Sequence, residues 1–507
     1  MSTTAVVEPR TSGGRGAPGG RTATSVLAVV VRCEWRLLRR DPGWWVSVAL
    51  LLGCVAYALH NGRAWRDERA RALAEARRDE DRRLKSLTGL LGRIERGAAK
   101  TPDAPYRDPG NALYVGRGQG ATVAHLPDAP LAVTAVGLSD IYPHALKVSA
   151  GSKDTFLFAD EVENPAHLLA GGFDLAFVLV YLLPLMILAL CYNVLSGERE
   201  AGTLALTASS SAPLGTVLAG KLLVRAGGVA AAAVVGVWAA LALGGDVRPA
   251  LSTAGLAALA ALSLAVAAYS AFWAGLALLI NSYRRDSAFN AVALVMAWVV
   301  LLLVVPAGIN AAAQALFPAP ARAEMVLAVR EAAVDAERDA EAAEARYRAE
   351  HPDEPKSGAP AGGDRTRRTL EVTLAADARA DAVLAEQEAR VRAQRRLADR
   401  LALLAPPALV NDALAELAGA GHTRWDDYLE RVGAFHKTWQ GFFVEKASRG
   451  AALTTADYGR FPRFPAGDVG PWVGPASARR VAVSLGWVAA VSAALFALAA
   501  RRLSGVV

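Results

Sequence analysis

The nearest approach to a nucleotide site is the run Gly215, Thr216, Val217, Leu218, Ala219, Gly220, Lys221, Leu222. A phosphate-binding loop cradles phosphates with backbone N–H groups and needs Ser or Thr after its Lys to hold magnesium. Leu222 cannot do that, and the run feeds an apolar helix instead of following a strand. Lys221 therefore reads as a basic residue at the start of an apolar span. Other catalytic patterns are missing. The seven histidines are scattered without metal-ligand spacing, and no Gly-x-Ser-x-Gly elbow occurs. The pair Asp426 and Asp427 is what a solvated helix commonly carries. The three cysteines, Cys33, Cys54 and Cys191, lie in or beside apolar segments, without a CxxC pair or a disulfide framework. The expectation is a chain that is not an enzyme and has no catalytic residues, metal site or cofactor of its own.

Two charged stretches remain. The first runs from Ser196 through Gly197, Glu198, Arg199, Glu200, Ala201, Gly202 and Thr203 to Leu204. Glu198, Arg199 and Glu200 offer exposed charges for docking, Gly202 permits a turn, and Thr203 can cap a short helix. On the bare sequence a solvated loop with a helix cap is the better reading. In the second, Arg32, Arg36, Arg39 and Arg40 fall on one helical face, while Val26, Val30, Cys33 and Leu37 line another. Such a helix lies along a membrane surface. Its arginines set the topology of the first span.

The elements holding these stretches are apolar. Of 507 residues, 53% are hydrophobic and 20% charged, segregated along the chain as membrane spans and watery domains require. A net charge of +7 beside such spans points to a membrane surface, not to nucleic acid. About 20 apolar residues in a helix cross a bilayer. Six stretches qualify, at 43–60, 174–195, 222–244, 251–280, 288–309 and 481–500. The expected fold is mainly α, with six transmembrane helices and two largely helical extracytoplasmic insertions, at 61–173 and 310–480. A tail at 1–21 is too polar to bury a core and reads as disordered. Residues 22–42 form the interface helix, 196–221 the cytoplasmic link, and 501–507 a short tail. Neither the length of the run from Val26 to Val31 nor its flank suits a cleaved signal peptide.

Basic flanks set the direction. Arg36, Arg39 and Arg40 precede the first span, Arg284 and Arg285 the fifth, and Arg501 and Arg502 follow the sixth. Both termini are therefore expected in the cytoplasm. Arg479 and Arg480 dissent, since they fall on the far side. The first insertion is expected to continue the first span as a charged helix to Glu95. The second shows two long helical patterns, 321–350 and 365–404, joined by a Pro- and Gly-rich link. Leu370, Leu374, Leu384, Val391, Leu397, Leu401 and Leu404 give the second pattern a broken apolar stripe. This reads as an antiparallel hairpin packed on neighbouring helices, with a solvated charged spacer as the alternative. The spans carry almost no ionisable side chains at their centres, Arg225 standing near a span's end where it can reach headgroups, which argues against ion-coupled transport.

The stretch from Asn164 to Lys221 carries a resemblance. It holds Asn164 and Pro165, the run Gly171 to Leu175, the run Tyr181 to Leu185 with Pro184, and Ser196 to Leu204. With the six spans, Asn411 to Leu414 and the aromatic run Trp439 to Phe443, this resembles permease subunits of bacterial type-2 ABC exporters, in a branch with two large extracytoplasmic insertions. The resemblance implies a multi-pass protein of the bacterial cytoplasmic (inner) membrane. It implies separate ABC ATPase subunits carrying ATP and magnesium, and a second permease copy or a related permease. It also implies that Glu198, Arg199, Glu200, Gly202, Thr203 and Leu204 form an ATPase-coupling segment, and that the helix bearing Arg32, Arg36, Arg39 and Arg40 helps seat the ATPase. The insertions would gate, receive substrate or engage an extracytoplasmic partner. A membrane receptor or mechanical transmitter and a membrane-anchored enzyme remain the rival readings.

Overall fold

A computed structural model describes residues 23–137, 143–151, 172–208, 213–245, 251–318, 322–350, 362–465 and 474–504. The tail at 1–21, Asn164, Pro165, Gly171, residues 209–211 and the link at 351–361 lie outside the described residues. Among those described, six helices are long and apolar enough to cross a membrane: Pro42–Glu95, Leu175–Glu200, Leu214–Leu243, Thr253–Asn281, Ser287–Leu316 and Pro475–Ser504. They are spans one to six below. The fold is mainly α, as the apolar windows predict. Both ends of the described chain lie on one side of the spans, here the termini side. The two insertions lie on the other, the insertion side.

Span one does not stop at the edge of its apolar window. Asp41 caps it by accepting from the Gly43 N–H at 2.9 Å, Pro42 supplies a preset first turn, and the helix runs unbroken for 54 residues. At 1.5 Å per residue that is about 80 Å, well beyond a hydrocarbon core about 30 Å thick.

Span three packs beside the N-terminal helix Ala23–Leu38 and span one through four glycines spaced eight apart, the first against that helix and the other three against span one. A Cβ on Gly220 would stand 2.6 Å from Val30, one on Gly228 2.7 Å from the Trp44 ring, and one on Gly236 2.5 Å from Leu52. A Cβ on Gly244 would meet the Arg63 guanidinium at 2.0 Å. Without side chains at these four points the backbones approach closely, which is how helices associate where no hydrophobic drive separates them from lipid.

Span two packs against spans three, four and five, and its N-terminal turns touch span one. Its Pro184 has no N–H and its ring crowds the carbonyl four residues back. The helix answers with a π turn over Val178–Leu182. The Tyr269 hydroxyl of span four donates to the Val180 carbonyl at 2.9 Å, and the Trp298 indole of span five donates to the Tyr181 carbonyl at 3.2 Å. Backbone acceptors with no water to turn to are thus filled from neighbouring spans. Span five repeats the device, with a π turn over Val300–Val304 ahead of Pro306.

The two insertions, expected as separate domains, form one body. The first contributes more than helix. An antiparallel strand pair, Thr122–His125 with Ala145–Val148, sets Thr122 opposite Val148 and His125 opposite Ala145. The helix His422–Ser448 of the second insertion lays Tyr428, Val432, Phe435, Trp439 and Phe443 over it, with Phe461 and Phe464 closing the cluster. The Tyr428 hydroxyl donates to the Ala124 carbonyl at 3.0 Å, and the Leu453 N–H to the Gly110 carbonyl at 2.8 Å. Gly116 leaves room for Phe443, which would stand 2.5 Å from a Cβ there. Glu95, the last residue of the long helix, accepts from the Thr455 N–H and hydroxyl, both at 2.9 Å.

The second insertion also holds the expected hairpin, Arg322–Glu350 against Gly362–Leu401. Its seam is narrow: Val329, Ala332 and Ala336 are buried on one arm, Ala376, Ala380 and Leu384 on the other. Of the leucine stripe read from the sequence, Leu384 is buried while Leu374 and Leu404 are exposed, because alanines make the close contact. A short helix, Pro406–Leu417, then packs on spans four and six as a floor, with Leu409, Val410, Ala413 and Leu414 in the same core as the spans. The dissenting Arg480 is accounted for here. It donates to Asp412 and Asp399, each at 2.6 Å.

Candidate functional site

Residues 196–204 sit on the termini side, from the last turn of span two into the link to span three. Ser196–Glu200 makes one helical turn and then stops. The Gly202 N–H donates to the Arg199 carbonyl at 3.1 Å and the Thr203 N–H to the Glu198 carbonyl at 2.9 Å. This pair of bonds is a Schellman closure, and it needs a left-handed residue at Gly202, whose φ is +71°. Glycine is there for that reason. The Thr203 hydroxyl also donates back to the Glu198 carbonyl, at 3.2 Å, so Thr203 seals the turn behind it. Leu204 opens the next short helix, Leu204–Ala208.

The three charges of the turn reach three different parts of the chain. Glu198 pairs with Lys221 of span three, and both side chains are largely covered. The expectation that Glu198 stands exposed is therefore corrected: its carboxylate is engaged within the chain. Arg199 donates to the Arg284 carbonyl and, at 2.5 Å, to the Arg285 carbonyl in the tight link between spans four and five. Arg284 has φ +59°, the one non-glycine residue in the left-handed region among the described residues. That costs on the order of 1–2 kcal/mol, and the Arg199 fork helps hold it. Glu200 is exposed at its rim yet accepts from the Ser287 N–H at 2.6 Å and the Ser287 hydroxyl at 2.9 Å. It thereby places a negative charge at the N-terminus of span five, where the helix dipole favours one.

Beneath the turn lies Asn281, 1% exposed. Its Oδ1 accepts from the N–H groups of Leu195 and Ser196, at 3.3 and 3.4 Å, and from the Asn290 amide at 3.2 Å. Its own amide donates to the carbonyls of Ala277 at 2.9 Å and Cys191 at 3.3 Å. The Ser196 and Ser287 hydroxyls share a bond at 2.8 Å. One uncharged side chain thus ties the ends of spans two and four to the start of span five.

The N-terminal helix, Ala23–Leu38, lies against span three. Arg32, Arg36, Arg39 and Arg40 are all exposed, as one polar face requires. The packed face differs from the expected one. Glu34 and Leu38 are buried and Val30 is partly covered, whereas Cys33 and Leu37 face outward. The reason is Arg225 of span three, expected to reach headgroups. It donates to Glu34 at 2.7 Å, to the Leu190 carbonyl at 3.0 Å and to Asn193 at 3.3 Å. A covered pair of this kind rotates the helix until Glu34 faces inward, because an unpaired charge there would be costly.

The structure therefore gathers residues 196–204, Lys221, Arg225, Asn281, Ser287, Asn290 and Glu34 into one network, and leaves the four arginines on the surface beside it. Reasoning from ionisable residues alone missed Asn281 and Asn290. The signal was there: two amides flanking a short basic link between apolar runs, where polar groups usually bond across helices.

A family model described as a domain of unknown function (DUF3526) matches residues 322–466. That stretch is the hairpin, the floor helix and the aromatic helix of the insertion-side body, not the spans. No curated protein and no solved structure matches the chain.

Proposed function

We propose that the chain is the permease subunit of an ATP-binding cassette exporter of the cytoplasmic membrane. Separate ATPase subunits would dock beside residues 196–204 and the N-terminal helix, and a second permease copy or a related permease would complete the pathway. The observation that carries this reading is the wiring of the 196–204 turn. Its charges and the amide beneath it hold spans three, four and five at once, so a push on the turn reaches three spans without slack. ATP binding and release on the partner would then switch the spans between two packings. In this reading the termini side is cytoplasmic, the chain hydrolyses no ATP alone, and the exposed arginines carry the docking charge, since Glu198 is occupied within the chain.

The test is co-purification in mild detergent. ATPase subunits should accompany the intact chain, and the triple variant Arg36→Glu, Arg39→Glu, Arg40→Glu should lose them while inserting normally. Intact association in that variant, or ATP hydrolysis by the chain freed of all partners, would overturn the assignment.

A second reading has its own support. Span one and the insertion-side body share one unbroken helix, whose last residue, Glu95, accepts from Thr455. The same machinery could transmit ATP-driven motion to an extracytoplasmic partner without moving a substrate. A transport assay with the reconstituted complex separates the two.

A further inference from the structure

Spans four and six are close at the termini side and part toward the insertion side. Near the close end a Cβ on Gly275 would stand 3.2 Å from Leu495 and 3.4 Å from the Phe496 ring. Toward the insertion side the gap between them is a cavity of about 620 Å³, lined by Ala258, Ala261, Leu264, Ala482 and Leu485 among others, with Leu417 of the floor helix at its end. Every lining side chain is Ala, Gly, Val or Leu. The volume falls within the roughly 300–1,000 Å³ of ligand sites. Such a surface gives water no hydrogen bond, and apolar cavities of this kind take apolar guests. Ala257, Ala482 and Ala489 are exposed along its open flank, so the medium that meets it is the bilayer's own hydrocarbon.

One exposed cation without an acidic partner among the described residues, Arg479, stands at the insertion-side end of this cavity. Arg480 is spent on Asp399 and Asp412. Arg479 lies beside the lining residue Ala478 and less than one turn before Ala482. It is also a residue that breaks the charge rule for this side of the chain. A cation at the headgroup level above an apolar slot complements a molecule with an anionic head and a hydrocarbon tail.

We propose that this cavity binds one acyl chain of an anionic phospholipid from the leaflet on the insertion side, with the phosphate held at Arg479. The site stands apart from the permease reading and requires only that the six spans lie in a bilayer. The test uses the full chain in phosphatidylcholine nanodiscs containing spin-labelled phosphatidylglycerol or spin-labelled phosphatidylcholine, with the motion-restricted lipid fraction read by electron spin resonance. The wild type should prefer phosphatidylglycerol on the order of fivefold, the effect of one basic residue at a membrane surface. Ala261→Trp, which fills the cavity, should lower the restricted fraction of both lipids. Arg479→Gln should abolish the preference while keeping a restricted phosphatidylcholine fraction. Because Arg479 is exposed, that variant folds and answers the question even if the Trp variant does not. Equal restriction of both lipids in the wild type, or an unchanged preference in Arg479→Gln, would overturn the proposal.

Discussion

The two ends of the molecule are held by different physics. On the termini side a handful of polar side chains, Glu34, Glu198, Arg199, Glu200, Lys221, Arg225 and Asn281, tie short links to span ends by directed bonds. On the insertion side rings pack on rings: Trp439 lies 5.1 Å from Phe443 and 5.7 Å from Phe461, centroid to centroid. Directed bonds have a few discrete arrangements and can exchange partners, whereas close packing tolerates small shifts poorly. In the proposed function, this contrast would place switching on the termini side and rigid-body motion on the insertion side.

The largest effect that sharpens this contrast should come from Trp439→Ala. Trp439 is 1% exposed, and its removal should cost about 3–5 kcal/mol through lost transfer energy and the cavity left behind. Hydrogen exchange should accelerate over residues 422–448 and over the strand pair. The links on the termini side should keep their protection. Equal loss at both ends would mean that the two regions unfold as one unit.

Next in size is Asn281→Leu. The N–H groups of Leu195 and Ser196 would lose their acceptor, at about 1–3 kcal/mol for each buried group left unsatisfied. The expected readout is faster exchange at residues 195 and 196 and, under the proposed function, partner ATPase activity no longer coupled to the spans. The aromatic body should be unaffected.

Acid should separate the ends without a mutation. Burial, with the charge of Arg69 second, holds His144 well below its usual 6.5, at about 4, and burial also lowers His125 and His422. The unfolded chain takes up these protons near 6.5, while the folded body resists them. Stability is therefore full above pH 6.5 and declines as pH falls toward about 4. All three histidines belong to the insertion-side body, and the residues of the link network include none. Between pH 7 and pH 5 the melting of the body should fall while link protection stays constant, and His144→Asn should flatten part of the decline.

The smallest effect is expected at Arg395, which donates to both oxygens of Asp426 at 3.1 Å and joins the hairpin to the aromatic helix. Arg395 is half-buried and Asp426 exposed, so water still screens the pair and Arg395→Ala should cost no more than about 0.2–1 kcal/mol. A larger loss in a denaturant titration would show that the hairpin depends on that bridge more than on its alanine seam.

Much of this was legible in the residues. Windows of about 20 apolar residues located all six spans, and an unbroken charged run predicted the helix through Glu95. The aromatic spacing of Trp439 to Phe443 was visible too, but not its partner. Gly116 and Phe443 are more than 300 positions apart, and nothing local announces that they touch. The link network was hidden for a different reason. A charged residue near a span end reads as a headgroup contact or a docking site. Only the fold reveals that Arg225 faces Glu34 and that Glu198 faces Lys221. Arg480 was misleading in the same way, because its two acidic partners lie 68 and 81 positions away.

The glycine ladder of span three also constrains what the chain can become. Its four notches, Gly220, Gly228, Gly236 and Gly244, behave like the cuts on a key, each admitting a different neighbour. Substitution at a notch damages one contact. Insertion of a single residue between Gly220 and Gly228 would instead turn every later notch by about 100° around the helix axis and present side chains to Trp44, Leu52 and Arg63. Span three can therefore drift in sequence between its cuts but not in length, and a chain that gained or lost a residue there would have to recut the whole of span one to match.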